Sequence, residues 1–179
     1  DVIDGKKLID LVGKHQVTCM QATPVTWKLM LSAGWQGSPQ LKVLCGGEAL
    51  STQLAGELLP RCDQLWNMYG PTETTIWSLV ARITSESIAQ SNGGIVHIGS
   101  PIENTSLLVL DRWGKISAPG VPGELCIGGA GLARGYLNRP DLSADKFFLF
   151  ALPQNQSLKS QAQENSLQLH SLQQHRYYR

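Results

Sequence analysis

Asn67-Met68-Tyr69-Gly70-Pro71-Thr72-Glu73-Thr74-Thr75 is the stretch on which the reading of the chain turns. It grows out of the apolar run Gln64-Leu65-Trp66, which has the composition of a strand. It then turns at Gly70-Pro71, where proline sets φ and glycine relaxes it. A turn at the carboxyl end of a strand is where open α/β sheets bind ligands. The residue types suit such a site. Tyr69 offers a ring to stack on a flat base, and Thr72, Thr74 and Thr75 offer hydroxyl donors to phosphate oxygens. Glu73 offers the hard oxygen that Mg²⁺ prefers. The plain alternative for the same nine residues is a polar surface turn.

Upstream, helical and extended patterns alternate. Asp4 caps a helix whose apolar face is Leu8, Ile9, Leu11 and Val12. The apolar, β-branched run Val17 to Ala22 reads as a buried strand. Thr23-Pro24 opens a second helix, with Trp27, Met30 and Leu31 on one face. Gly34 to Pro39 is a loop, and Leu41 to Cys45 a second strand that runs into Gly46-Gly47-Glu48-Ala49. Ser51 caps a third helix with Leu54, Leu58 and Leu59 inward, and Gln64 to Met68 is the third strand. The alternation predicts an α/β architecture: a parallel sheet flanked by helices in the first half of the chain. The loops at Gln21 to Pro24, Gly46 to Ala49 and Met68 to Thr75 then leave one sheet edge, which makes them one candidate site.

Beyond Ile76 short apolar runs (Trp77 to Ile83, Ser106 to Leu110, Glu124 to Ile127) alternate with Gly/Pro turns such as the hairpin Asp111-Arg112-Trp113-Gly114-Lys115. The second half is therefore expected to be an antiparallel sheet or a distorted β-barrel. A short helix over Asp141 to Phe148, capped by Asp141 or Ser143, is expected within it. From Ala151 to His175 Gln and Ser dominate, a composition that cannot offset its own ordering entropy, and the span reads as a flexible insertion. The expected divisions are 1–84 (α/β), 85–150 (β-rich), 151–176 (Gln/Ser-rich insertion) and 177–179. With no Met at the start and a pattern broken off at Arg179, the 179 residues read as an internal piece of a longer protein.

The totals exclude several classes. Net charge is +1 with acids and bases interspersed, so there is no footprint for nucleic acid or an anionic membrane. No apolar run is long enough for a membrane span, and no signal-peptide pattern starts at Asp1. The four cysteines form no C-x-x-C. Cys19, Cys45 and Cys126 lie in strand-like contexts and read as reduced core residues of a cytoplasmic protein. Of the histidines only His170-x-x-x-x-His175, in the Gln/Ser-rich span, has ligand-like spacing, so no zinc site is expected, and no nucleophile motif such as G-x-S-x-G occurs. The Gly-rich string at 128 to 135 fails as a dinucleotide fingerprint, because Arg134 stands where the third glycine belongs and no long helical pattern follows. Its glycines read as structural.

The opening stretch resembles the N-x-Y-G-P-T-E signature of amino-acid adenylation domains of non-ribosomal peptide synthetases, within the adenylate-forming (AMP-binding) superfamily. Gly123-Glu124-Leu125-Cys126-Ile127-Gly128-Gly129-Ala130-Gly131-Leu132-Ala133-Arg134-Gly135-Tyr136-Leu137 resembles that family's G-E-L-x-I-x-G-x-G-L-A-R-G-Y-L signature. The resemblance runs from Asp4 to Phe150. It returns at Tyr177-Tyr178-Arg179, which resembles the start of Y-[RK]-T-G-D.

The resemblance implies an enzyme that forms an aminoacyl-adenylate from an amino acid and Mg-ATP, then passes the acyl group to the phosphopantetheine of a carrier domain. By similarity Tyr69 stacks on adenine, Asn67 bonds to it, and Thr72 contacts the α-phosphate while Glu73 binds Mg²⁺. The segment Gly46-Gly47-Glu48 lies against the adenine in the family; its plain reading is a strand-to-helix turn, with Glu48 favoured by the helix dipole. The positions that match the side-chain pocket are Gln21, Leu44, Gly46, Met68, Ile76 and Trp77. Five of these six are bulky, and the pattern resembles a glycine code. Glycine is the expected substrate and alanine the second, because an overfilled pocket rejects larger groups. Carrier and condensation domains of the same synthetase are the implied partners. The family's lysine-bearing phosphate loop, the Asp for the substrate amine, the T-G-D aspartate and the catalytic lysine are not among these residues, so no adenylation is expected of the 179 residues alone. The alternatives are an acyl- or aryl-acid-CoA ligase of the same superfamily and a non-catalytic nucleotide-binding or interaction module.

Overall fold

The computed structural model describes residues 4–151 and 174–179, in two compact units, Asp1–Glu103 and Asn104–Arg179. The expected insertion at 151–176 falls almost wholly outside the described residues.

The first unit is built on helices α1 (Gly5–Lys14), α2 (Pro24–Ser32) and α3 (Thr52–Leu58) and strands β1 (Cys19–Ala22), β2 (Ser38–Gly46) and β3 (Cys62–Tyr69). Each helix begins where its cap predicts. Asp4 accepts from the amides of Lys6 and Lys7, Thr23 from Thr26, and Ser51 from Leu54. A cap of this kind is worth about 1 kcal/mol. Strands β1, β2 and β3 are parallel neighbours. Two antiparallel strands, β4 (Leu79–Ile83) and β5 (Ser100–Pro101), extend the sheet in the order β1-β2-β3-β4-β5, and the short helix α4 (Ser85–Ala89) lies between them in sequence.

The core occupies one face of that sheet. Leu41, Val43, Cys45, Leu65, Ala81 and Ile83 alternate along the strands and pack against Val12, Trp27, Met30, Leu54, Ala55 and Leu58 of the helices. Trp27 and Trp35 meet with ring centroids 5.7 Å apart. Replacing a buried residue of Trp27's size by alanine costs about 3–5 kcal/mol. The opposite face, with Lys42, Leu44, Trp66, Met68 and Arg82, is half-buried or exposed.

The second unit is an antiparallel sheet of order β6-β7-β9-β8, formed by β6 (Thr105–Leu110), β7 (Glu124–Gly129), β8 (Phe147–Ala151) and β9 (Gln174–Tyr178). Among the described residues it is an open sheet rather than a barrel. Its core is Leu108, Leu110, Cys126 and Tyr177. The hairpin turn at Asp111 forms as expected: its carboxylate accepts from the amides of Trp113 and Lys115.

Four expectations are corrected. The first unit continues to Glu103, past the expected division at 84, because β4 and β5 pair antiparallel onto β3 and carry the chain on in the same sheet. Cys19 is exposed, since it pairs with exposed Lys42 on the face away from the core of an edge strand. Helix α5 (Pro140–Lys146) starts after Arg139 with no side-chain cap. The Asp141 carboxylate instead pairs with Arg139 at 2.8 Å, and Ser143 Oγ donates to the Arg139 carbonyl. The expected helix to Phe148 ends earlier, for the chain is already extended at Phe147.

Candidate functional site

Ala22, Cys45 and Asn67 are register neighbours, so the loops after β1, β2 and β3 leave the sheet along one edge. Two of them, with the segment 95–98, enclose a cleft of about 320 Å³, within the roughly 300–1,000 Å³ range of small-molecule sites. Gly47 and Glu48 line one side. Asn67, Tyr69, Gly70 and Pro71 line another, and Leu50, Ile95, Val96 and Ile98 supply an apolar wall. Asn67 is buried, and its Nδ2 donates to the His97 carbonyl at 2.9 Å. Tyr69 is 39% exposed, which leaves its ring open to a ligand. An apolar slot with a ring and a few oriented polar groups suits a flat heteroaromatic ligand.

The expected side-chain pocket lies elsewhere on the same edge. Gln21 pairs with Leu44, and Gly46 with Met68. Successive strand residues point to opposite faces, so Gln21, Leu44, Gly46 and Met68 share the face away from the helices, while Asn67 and Tyr69 belong to the helix-packed face. The three loops thus share an edge but not one cleft: the loop at Gln21 does not line the cleft beside Tyr69. Trp77 joins the first group, for a Cβ on Gly46 would stand 2.5 Å from its Cη2. Ile76 is exposed, at the rim of the turn.

Between the two groups lies the segment Pro71 to Ser78. Thr72, Glu73 and Thr74 form a single 3-10 turn, with Thr72 exposed and Glu73 half-buried. One carboxylate with neighbouring hydroxyls suits Mg²⁺ that also takes phosphate oxygens, rather than a cage made only of protein ligands. Among the described residues no three His, Cys, Asp or Glu side chains gather in a metal-binding group, and no helix is long and apolar enough to cross a membrane. The thiol of Cys45, one residue before Gly46, is pushed up to about 12, first by burial and then by the Glu48 carboxylate. It is a neutral packing group at the base of the site.

Sequence reasoning missed Ile95, Val96, His97 and Ile98. Backbone pairing brings this segment to the cleft: the Val96 amide donates to the Leu50 carbonyl at 3.0 Å, and Ser51 bridges Ile95, while His97 acts through its carbonyl on Asn67. Only the β-branched pair Ile95-Val96 hinted at an extended segment, and nothing local said where it would dock.

The protein-family model "AMP-binding enzyme" matches residues 1–137. A PKS-NRPS hybrid synthetase of Aspergillus candidus is 43% identical over 149 residues, covering 80% of this chain and 6% of its own length. A dimodular nonribosomal peptide synthase of Bacillus subtilis is 43% identical over 144 residues, again covering 80% and 6%. The chain therefore spans about 6% of the length of these curated relatives. Among solved structures, a holo four-domain nonribosomal peptide synthetase bound to AMP and glycine aligns over 98% of this chain and 11% of its own, with TM-score 0.75 and 41% identity. A holo nonribosomal peptide synthetase protein with adenylation and PCP domains, bound to a vinylsulfonamide inhibitor, covers 98% of this chain and 28% of its own, with TM-score 0.78 and 25% identity.

Proposed function

The chain belongs to the AMP-binding enzyme family, and on that premise we propose that its residues form part of an amino-acid-activating adenylation domain in a nonribosomal peptide synthetase of the cytoplasm. The observation that carries this reading is the shared cleft of Gly47, Glu48, Asn67 and Tyr69, with Trp77 closed over Gly46 across the same sheet edge. The names of the relatives support it, as does the AMP and glycine bound by one of the similar structures.

Tyr69 stacks on the adenine. Asn67, oriented by the His97 carbonyl, and the backbone at Gly46, Gly47 and Glu48 meet the base edge. Thr72 contacts the α-phosphate. Glu73 would hold Mg²⁺, which would neutralise phosphate charge when bound. The amino-acid carboxylate attacks the α-phosphorus, the bond to pyrophosphate breaks, and aminoacyl-adenylate remains. The phosphopantetheine thiol of a carrier domain then attacks the acyl carbon and AMP leaves. Positioning and charge neutralisation are what such a transfer asks of the protein.

The side-chain pocket of Gln21, Leu44, Gly46, Met68, Ile76 and Trp77 selects glycine, then alanine. Trp77 lies where a larger substrate side chain would enter, and compressing a packed site costs about 1–3 kcal/mol. Condensation and carrier domains of the same synthetase are the partners.

The test is amino-acid-dependent ATP–pyrophosphate exchange by a synthetase that carries this segment. Glycine should give the highest exchange, with alanine next and phenylalanine near background. Exchange driven by fatty or aryl acids and not by amino acids would overturn the reading. The 179 residues alone, without the lysine-bearing phosphate loop, should give no exchange.

A further inference from the structure

Thr75 and Ile76 both have positive φ, +62° and +70°. Two successive β-branched residues in the left-handed region are strained, and such strain persists only where the surroundings over-determine it. The Trp77 amide donates to the Thr75 carbonyl at 2.9 Å across Ile76, which makes a γ-turn of the rarer, positive-φ form.

The restraint comes from two buried hydroxyls. Thr74 and Ser78 are 4% and 1% exposed, and their Oγ atoms are 2.5 Å apart. Thr74 Oγ1 also lies 3.2 Å from the Pro71 carbonyl, which accepts from it, and either hydroxyl can be the donor in the bond between Thr74 and Ser78. The Ser78 amide donates to the Tyr69 carbonyl at 2.8 Å, and its carbonyl accepts from Ile102 at 2.9 Å. Gly70 completes the closure, since a Cβ there would lie 2.5 Å from the Ile76 carbonyl and 2.8 Å from the Ser78 nitrogen.

We propose that Thr74 and Ser78 are positioning residues, whose hydroxyl bond holds the strained Thr75-Ile76 turn so that Ile76 and Trp77 form a fixed wall of the amino-acid side-chain pocket. Both hydroxyls are buried and bond to protein groups. The bond closes the base of the turn, and the pocket wall is the turn's far side. This deepens the reading above and rests on it.

The variants are Thr74→Val, which keeps shape and removes the hydroxyl, Ser78→Ala, and Thr74→Ser, which restores the hydroxyl. In the 179-residue chain, hydrogen exchange at the Trp77 and Ser78 amides should quicken about tenfold in Thr74→Val, the scale of one broken buried hydrogen bond, and return towards wild type in Thr74→Ser. In a synthetase carrying the segment, Thr74→Val and Ser78→Ala should raise the glycine KM about tenfold and narrow the preference for glycine over larger amino acids. The ATP KM should stay within about twofold. Unchanged amide exchange, or faster exchange with unaltered amino-acid preference in an active enzyme, overturns the proposal. A wild-type synthetase that activates no amino acid overturns the function reading instead, and is recognised before any variant is made.

Discussion

Trp77 covers Gly46 so closely that a Cβ at position 46 would stand 2.5 Å from the ring carbon Cη2 and 2.7 Å from Cζ3. Gly46 ends β2 and Trp77 lies in the segment before β4, and each sets the limit of the other: the indole occupies space that a side chain at 46 would need. Gly46→Ala should therefore destabilise the fold by about 1–3 kcal/mol, the cost of overpacking. Trp77→Ala should relieve only the indole's share of that penalty in the double variant, because a Cβ at 46 would still stand 2.7 Å from the Met68 carbonyl oxygen, and it should broaden activation towards larger amino acids. Thermal denaturation checks the first outcome, and an exchange panel of amino acids the second. Additive single-variant costs would mean that the two residues do not compete for space.

Asn67 and Tyr69 should separate stability from ligand binding. Asn67→Ala removes the bond to the His97 carbonyl from a buried site and should cost about 1–3 kcal/mol in urea unfolding. Tyr69→Ala removes a ring that is 39% exposed. It should change the unfolding midpoint little while weakening AMP binding. Equilibrium titration with AMP, alongside the urea curve, decides both.

Thiol chemistry should distinguish Cys19 from Cys45 and Cys126. Cys19 is exposed, and Cys45 and Cys126 are buried. Brief alkylation of the folded chain, followed by peptide mass mapping, should label Cys19 first. Cys45 and Cys126 should react only after denaturant is added, because the thiolate is the nucleophile and burial withholds it.

Alkaline pH should destabilise the fold through the same groups. The Cys45 thiol is raised from 9.0 to about 12 and Cys126 to about 11, in both cases chiefly by burial. Between those values the unfolded chain binds fewer protons than the native one, so the unfolding free energy falls as pH rises. The unfolding midpoint should be flat from pH 7 to 8 and decline above about 9, and Cys45→Ala should make the decline shallower at the expense of a cavity.

Arg176 should fasten the loop after β7. Its guanidinium donates to the Ala133 and Arg134 carbonyls at 2.7 and 2.8 Å and lies 4.4 Å from the Phe147 ring centroid. Arg176→Met keeps the aliphatic stem but loses both bonds. Limited trypsin digestion should then cut faster after Arg134, and an unchanged cleavage rate would show that other contacts hold the loop.

How much of this was legible in the residues alone depends on the range of the interaction. Asp4, Thr23 and Ser51 are caps because a short side-chain oxygen satisfies an amide two or three residues on, and they were read correctly for that reason. The parallel strands β1 to β3 and the hairpin at Asp111 are likewise set by local composition and spacing. The antiparallel return of β4 and β5 onto β3 was not legible, because nothing in Leu79 to Ile83 names its partner. Nor was the exposure of Cys19, since an edge strand and a central one share the same apolar alphabet.

The candidate site divides the same way. The sequence by itself determined the family, the α/β order, and which motif residues would stand at strand ends, since these follow from identity and spacing along the chain. Tertiary structure alone decided that Gly47, Glu48, Asn67 and Tyr69 line one cleft with Ile95, Val96 and Ile98, while Gln21, Leu44, Met68 and Trp77 gather around Gly46 on the other face of the sheet. The physical reason is pairing register. Side chains alternate between faces with a period of two, so which residues meet depends on how one strand is set against the next, and that is fixed by packing between segments far apart in the chain.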